Sequence, residues 1–283
     1  MTVNDIKWIH VEPSSKCNAW CPACPRNNHG YGLSEGLVEQ DLSPDRFSEI
    51  ISEFPNLHAV QLCGNFGDPM ASAYINEIID ISLSHSEKIQ IHTNGSLRTK
   101  KWWAELGNRL SGINHDVWFG IDGIGETHEI YRQGTIFDKI MENAQAFIGA
   151  GGHATWQFIP YAHNEHQIKD CLKLSQKMKF KNFKMAKLYR NQKLARNWKT
   201  GVEFSLLPPS ERIQPIIRMP KEFTVVEKNN CMHLTQPSIY ITASGKISWC
   251  CYFGNIKQFD SVAEVFHQDC DLTHQNCLNN CGS

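Results

Sequence analysis

The sequence lacks any apolar run approaching the roughly 20 residues that a membrane-spanning helix needs. It opens Met1-Thr-Val-Asn-Asp5, with neither the basic start nor the apolar stretch of a secretory signal peptide. Strong charge is missing as well. The 28 Lys and Arg against 29 Asp and Glu leave a formal net charge of −1, so the molecule as a whole has no electrostatic claim on nucleic acid or membrane. These absences predict a cytoplasmic protein with no membrane partner, and make nucleic acid an unlikely one. The 283 residues, 41% of them hydrophobic, suffice for one large domain plus an appendage.

Cysteine is what the chain has in quantity. Eleven cysteines without a secretory signal fit a reducing compartment and metal binding. Three of them stand within eight residues, in the run Glu12-Pro-Ser-Ser-Lys-Cys-Asn-Ala-Trp-Cys-Pro-Ala-Cys-Pro-Arg26. Thiolates are the soft ligands that iron-sulfur clusters require, and a C-x3-C-x2-C loop can place Cys17, Cys21 and Cys24 on three irons of one [4Fe-4S] cube. One iron is then open for an exchangeable ligand. A zinc knuckle completed by His10 or His29, and a disulfide framework, are the competing readings of the same residues.

The spacing, with Asn18 beside it, resembles that of the radical S-adenosylmethionine (SAM) enzymes. In that family the open iron binds the amino and carboxylate groups of SAM. Ala23 departs from the pattern, which usually has an aromatic residue before the third cysteine.

Periodicity alternates short apolar runs with amphipathic stretches. Strands are expected over Ile6–Val11, Ala59–Cys63, Ile89–His92, Val117–Ile121, Thr155–Pro160 and Phe183–Leu188. Helices are expected over Ser43–Glu53, Ala73–Ser84, Thr99–Leu110, Phe137–Ala150 and Glu165–Lys177. One βαβ unit per thirty-odd residues argues an α/β fold with a parallel, helix-covered sheet. Six such units fit the partial (β/α)6 barrel that the resemblance implies for residues 1–188.

In parallel α/β sheets the chemistry lies beyond the carboxyl ends of the strands. After the second strand comes Cys63-Gly-Asn-Phe-Gly-Asp-Pro69. Its Gly67, Asp68 and Pro69 are similar to the family's Gly-Gly-Glu-Pro element, which receives the SAM ammonium group. His92-Thr-Asn-Gly95 matches a Thr-Asn-Gly that often closes the third strand there and brings in Asn94. Gly120-Ile-Asp-Gly123, followed by His128, Tyr131 and Arg132, looks like the family's Ser-x-Asp-Gly pattern with Gly120 in place of serine. The resemblance implies that Asp122 bonds ribose hydroxyls and Arg132 pairs with the SAM carboxylate, although a surface ion pair of Arg132 with Glu129 or Asp138 reads equally well. Gln157, on the fifth strand, is a further ribose candidate.

Near the C-terminus, Ser238 to Tyr252 reads as a β-hairpin turning at Ala243-Ser-Gly245, flanked by Cys231 and Cys250, with Cys270, Cys277 and Cys281 in the tail. This is similar to the SPASM and twitch extensions of radical SAM enzymes. Six cysteines cannot supply the eight ligands of two clusters, so one auxiliary [4Fe-4S] cluster is expected in residues 226–283, held by Cys231, Cys250, Cys277 and Cys281. Cys251 or Cys270 can replace one of these, and a four-cysteine zinc site fits the same spacing. Cys63 and Cys171 read as small buried hydrophobes. Residues 189–225 match no motif, contain Leu206-Leu-Pro-Pro209, and read as a bridging linker.

Between Lys173 and Lys199 stand ten Lys or Arg and no acid, which leaves −11 on the rest of the chain. This is either a solvated face or a wall for an acidic partner. The resemblance implies reductive cleavage of SAM to a 5'-deoxyadenosyl radical, hydrogen abstraction from a peptide side chain or small polar metabolite, and a net oxidation or cross-link. A reductase or flavodoxin-type donor would supply the electron. A tRNA- or nucleotide-modifying enzyme and a non-catalytic iron-sulfur scaffold or electron carrier are the alternatives, and no acid or base can be assigned.

Overall fold

The structure is a computed structural model that describes residues 1–112, 114–186, 194–210, 237–251 and 257–267. Its strands are β1 (Trp8–Val11), β2 (Ala59–Leu62), β3 (Lys88–Thr93), β4 (Asp116–Gly120), β5 (Ala154–Phe158), β6 (Asn182–Met185), β7 (Leu194–Arg196), β8 (Glu203–Ser205), β9 (Ser238–Ile241) and β10 (Ile247–Ser248). The helices are α1 (Pro44–Ser52), α2 (Ile75–His85), α3 (Lys100–Arg109), α4 (Glu126–Tyr131), α5 (Phe137–Gly149), α6 (Ile168–Lys177) and α7 (Val262–Phe266). The expected alternation of strand and helix is present, with most ends shifted by one or two residues; α6 starts three residues later than expected, after a 3-10 turn at Glu165–Gln167, and the expected end of the sixth strand at Leu188 lies outside the described residues. At α1 the Ser43 side chain accepts from the Arg46 N–H and Pro44 opens the first turn.

The chain divides into two compact units. One gathers residues 1–16, 39–91 and the described C-terminal residues. In it β1 lies parallel to β2, β2 to β3, and β1 also to β9, with Trp8 opposite Ser238 and Val11 opposite Ile241. The hairpin expected near the C-terminus is therefore β9–β10, and through β9 it extends the sheet begun at β1. Gly245 closes its turn at φ +75, a left-handed backbone that glycine adopts without strain. Alternate residues of β1 and β3 are buried, and Ile75, Ile78, Ile79 and Ser82 give α2 one buried face.

The second unit gathers residues 17–38 and the described residues from 92 to 210. Here β4, β5 and β6 are parallel, and α3 packs against α5. Trp103 of α3 is fully buried, lies 5.1 Å from Phe119 and 6.1 Å from Phe147 between ring centroids, and donates its indole N–H to the Leu97 carbonyl at 2.9 Å. The segment expected as a linker carries an antiparallel hairpin, β7–β8, whose Ala195 is buried. Among the described residues no helix is long and apolar enough to cross a membrane. Trp103→Ala should lower stability by about 3–5 kcal/mol, measured as a drop in the urea midpoint at unchanged slope.

Candidate functional site

The cysteine loop sits in the second unit. Cys21 is buried in an apolar cluster with Ala19, Ala23, Tyr131, Tyr161, Ala195 and Leu206, and Cys17 and Cys24 pack against it. Burial pushes the Cys21 thiol up to about 11, because a thiolate loses hydration there. N–H donors are aimed at the sulfurs. The Ala19 amide donates to Cys17 Sγ at 3.3 Å, Asn94 Nδ2 stands 3.7 Å from the same sulfur, and Arg132 Nη1 stands 4.0 Å from Cys21 Sγ. Asn27, itself buried, ties the loop by donating from Nδ2 to the Cys21 carbonyl at 3.2 Å. Among the described residues its Oδ1 has no hydrogen-bond partner.

This donor set fits an anionic sulfur-rich group. Among the described residues no three His, Cys, Asp or Glu side chains are grouped so as to hold one metal ion. The zinc alternative needed His10 or His29. His10 Nε2 lies 2.8 Å from the Cys63 carbonyl and its ring meets Tyr240 edge-on, while His29 is exposed.

Asn94 is held by a small polar network. Its Nδ2 donates to Asn18 Oδ1 at 3.1 Å, Asn18 Nδ2 donates to Ser96 Oγ at 2.8 Å, and Ser96 Oγ donates back to Asn94 Oδ1 at 2.6 Å. The sequence reading contained Asn18 and Asn94 but missed Ser96, which follows the turn glycine Gly95.

Asp122 and Arg132 pair with each other. Arg132 Nε donates to Asp122 Oδ2 at 2.6 Å, and the Ile159 amide donates to Asp122 Oδ1 at 2.6 Å. Neither surface partner considered for Arg132 is used: Glu129 instead accepts from the Phe137 amide. Burial raises the Asp122 carboxyl, opposed by the Arg132 charge and the Ile159 N–H. His128 closes the arrangement. Its Nδ1 accepts from the Asp122 amide at 3.0 Å, its Nε2 bonds Thr135 Oγ1 at 3.1 Å, and Thr135 Oγ1 donates to the Arg132 carbonyl at 2.6 Å. Gln157 stands on β5 opposite Gly120, half-buried.

Gly67 and Asp68 belong to the first unit. A Cβ on Gly67 would meet the Ser14 carbonyl oxygen at 1.8 Å, so only glycine lets the two backbones approach this closely. Asp68 Oδ1 caps the following turn by accepting from the Met70 amide at 2.9 Å. A residue that the sequence reading passed over organises this loop. Glu12, 2% exposed, accepts from the Phe66 amide at 2.7 Å, the Gly67 amide at 3.2 Å and the Tyr240 hydroxyl at 2.9 Å. Burial raises its carboxyl against those donors. Asn65 Nδ2 reaches the Cys251 carbonyl at 2.8 Å. Cys250 is buried, Cys251 half-buried, and Cys231, Cys270, Cys277 and Cys281 lie outside the described residues. Of the two cysteines expected as small hydrophobes, Cys171 is fully buried on α6 and Cys63 half-buried just after β2.

His128 yields a pH test. Burial, followed by the Arg132 charge, pulls its imidazole from an ordinary 6.5 down to about 3. A base depressed in the fold and ordinary in the unfolded chain contributes stability above pH 6.5 that is lost as pH falls from 6.5 towards 3. Between pH 7 and pH 5 its share of the loss is about 2 kcal/mol. Urea midpoints across that range should fall less steeply for His128→Gln than for the wild type.

No protein-family model matches the sequence, and no curated protein matches it. Solved structures do match by fold. SuiB of Streptococcus suis bound to S-adenosylmethionine superposes at a TM-score of 0.66 with 13% identity, over 94% of this chain and 66% of that one. SuiB bound to the precursor peptide SuiA gives 0.64 and 13%, over 94% and 65%. anSMEcpe with bound AdoMet gives 0.52 and 17%, over 64% and 49%. The chain thus spans about half to two thirds of the length of these proteins. Their fold and the loop that gathers three cysteines lead to one conclusion, that this chain has the α/β fold of the radical SAM enzymes.

Proposed function

We propose that the chain is a radical SAM enzyme that takes hydrogen from a peptide side chain or a small polar metabolite in a net oxidation or cross-link. The observation that carries this reading is the loop of Cys17, Cys21 and Cys24 with N–H donors from Ala19, Asn94 and Arg132 directed at its sulfurs. A cluster held by Cys17, Cys21 and Cys24 would supply one-electron cleavage of bound SAM. The chain's own residues bind, orient and exclude water. Asn94, Asn18 and Ser96 hold the first cysteine, and the apolar lining of Tyr131, Tyr161, Ala195 and Leu206 keeps water from the loop.

In the first unit, Glu12 draws the Phe66 and Gly67 N–H groups to itself, which frees the carbonyls of that loop for a ligand's ammonium group. Gly67 and Asp68 are assigned to that contact, and Asn94 and Gln157 to the adenosyl side. Asp122, whose carboxylate is bonded to Arg132 and to the Ile159 amide, holds the arginine in place rather than taking the ribose contact itself. A peptide as substrate is supported by the fold shared with SuiB, which has been solved with its precursor peptide, and with anSMEcpe, solved with AdoMet and the Cp18Cys peptide. An auxiliary cluster on Cys231, Cys250, Cys277 and Cys281 would accept the electron left on an oxidised substrate. A reductase or flavodoxin-type protein would supply the first electron.

Anaerobically reconstituted protein should hold about eight irons per chain and release 5'-deoxyadenosine from SAM under dithionite. Cys17→Ala/Cys21→Ala/Cys24→Ala should lose that release and about half of the iron. Iron retained without SAM cleavage, with or without a candidate peptide, would favour an electron carrier. Zinc in place of the second cluster would remove its electron-accepting role.

A further inference from the structure

Arg132 is built into this chain in a way that the SAM-carboxylate role does not explain. Its Nε is committed to Asp122 at 2.6 Å. Asp122 is fully buried, and its other oxygen is fixed by the Ile159 amide, so the carboxylate cannot swing to a ligand without leaving a backbone donor unpaired. The rest of the guanidinium lies over Gly120. A Cβ there would stand 2.7 Å from Arg132 Nη2 and 3.0 Å from Cζ, closer than real side chains approach. Gly120 is the position where the family resemblance led to serine, and its missing side chain is what leaves room for the arginine. The guanidinium also lies 5.5 Å from the Tyr131 ring centroid and directs Nη1 at Cys21 Sγ, 4.0 Å away.

We propose that Arg132, seated over Gly120 and pinned by Asp122, is a cluster-tuning residue whose charge raises the reduction potential of the cluster bound through Cys21. The inference rests on the proposed function. On reduction the cluster gains one electron and therefore one negative charge, while no bond in the protein is made or broken. A cation near a ligating sulfur favours the more negative state, and hydrogen bonds and net charge around the sulfurs are what set such potentials. With its side chain only 16% exposed, Arg132 acts where solvent screens weakly.

The experiment is an EPR-monitored redox titration of the reconstituted protein without SAM, paired with calorimetric SAM binding. Arg132→Gln should move the cluster midpoint to more negative potential. Gly120→Ser, which keeps the cation but fills its seat, should move the midpoint the same way, and the exposed Lys101→Gln should leave it in place. Arg132→Gln/Asp122→Asn removes both charges of the pair, serves if the single variant fails to fold, and should give a smaller shift in the same direction, because the arginine lies against Cys21 Sγ. Unshifted midpoints with weakened SAM binding would overturn the inference and return Arg132 to the SAM carboxylate. A wild-type chain that takes up no iron would instead sink the proposed function, and this inference with it.

Discussion

Sulfur atoms that must become anionic lie among apolar side chains, and that conflict governs the second unit. A thiolate removed from water is costly unless donors replace the lost hydration. The chain meets the need from three directions: the Ala19 amide inside the loop, Asn94 at the end of β3, and Arg132 after α4. Two of these donors are in turn held by other side chains. Asn94 is locked by Asn18 and Ser96, and Arg132 by Asp122 and, through its backbone carbonyl, by Thr135 and His128. The orientation of these groups is fixed before any ligand arrives, so little reorganisation remains when charge develops.

The first unit holds a second buried anionic group in the same way. Glu12 is a carboxylate among apolar strands, and its oxygens are satisfied by two backbone amides of the loop after β2 and by the Tyr240 hydroxyl of β9. One buried side chain thereby joins β1, the glycine loop and the C-terminal hairpin. A buried carboxylate with three donors tolerates few replacements, because any neutral side chain leaves some of those donors unpaired.

The α/β class was legible in the sequence because strands and helices alternate with distinct periods, and Ser43 and Thr99 mark helix starts by their side chains. The spacing of Cys17, Cys21 and Cys24 singled out a loop whose three cysteines do lie in one side-chain cluster. Four features were not legible. Period-two alternation tells which face of a strand is buried but not which strand lies beside it, so the pairing of β9 with β1 was hidden. Glu12, next to Pro13, carries no local sign of burial. The partner of Arg132 depended on Gly120, and nothing in a glycine's neighbours announces which side chain will use the space it leaves. Ala195 and Leu206 fell in a stretch without motifs, yet they pack with Cys21.

The register of β9 against β1, Trp8 opposite Ser238, spans about 230 residues of chain. A pairing so remote in sequence forms late, since closing such a loop costs entropy before any contact repays it. During synthesis β1 therefore has β2 on one side and an unpaired edge on the other until residues 238–241 leave the ribosome. The carboxylate of Glu12 lacks its tyrosine for the same interval. Strand edges of this kind attract other chains, so the free side of β1 is open to misassembly until the hairpin of β9 and β10 covers it.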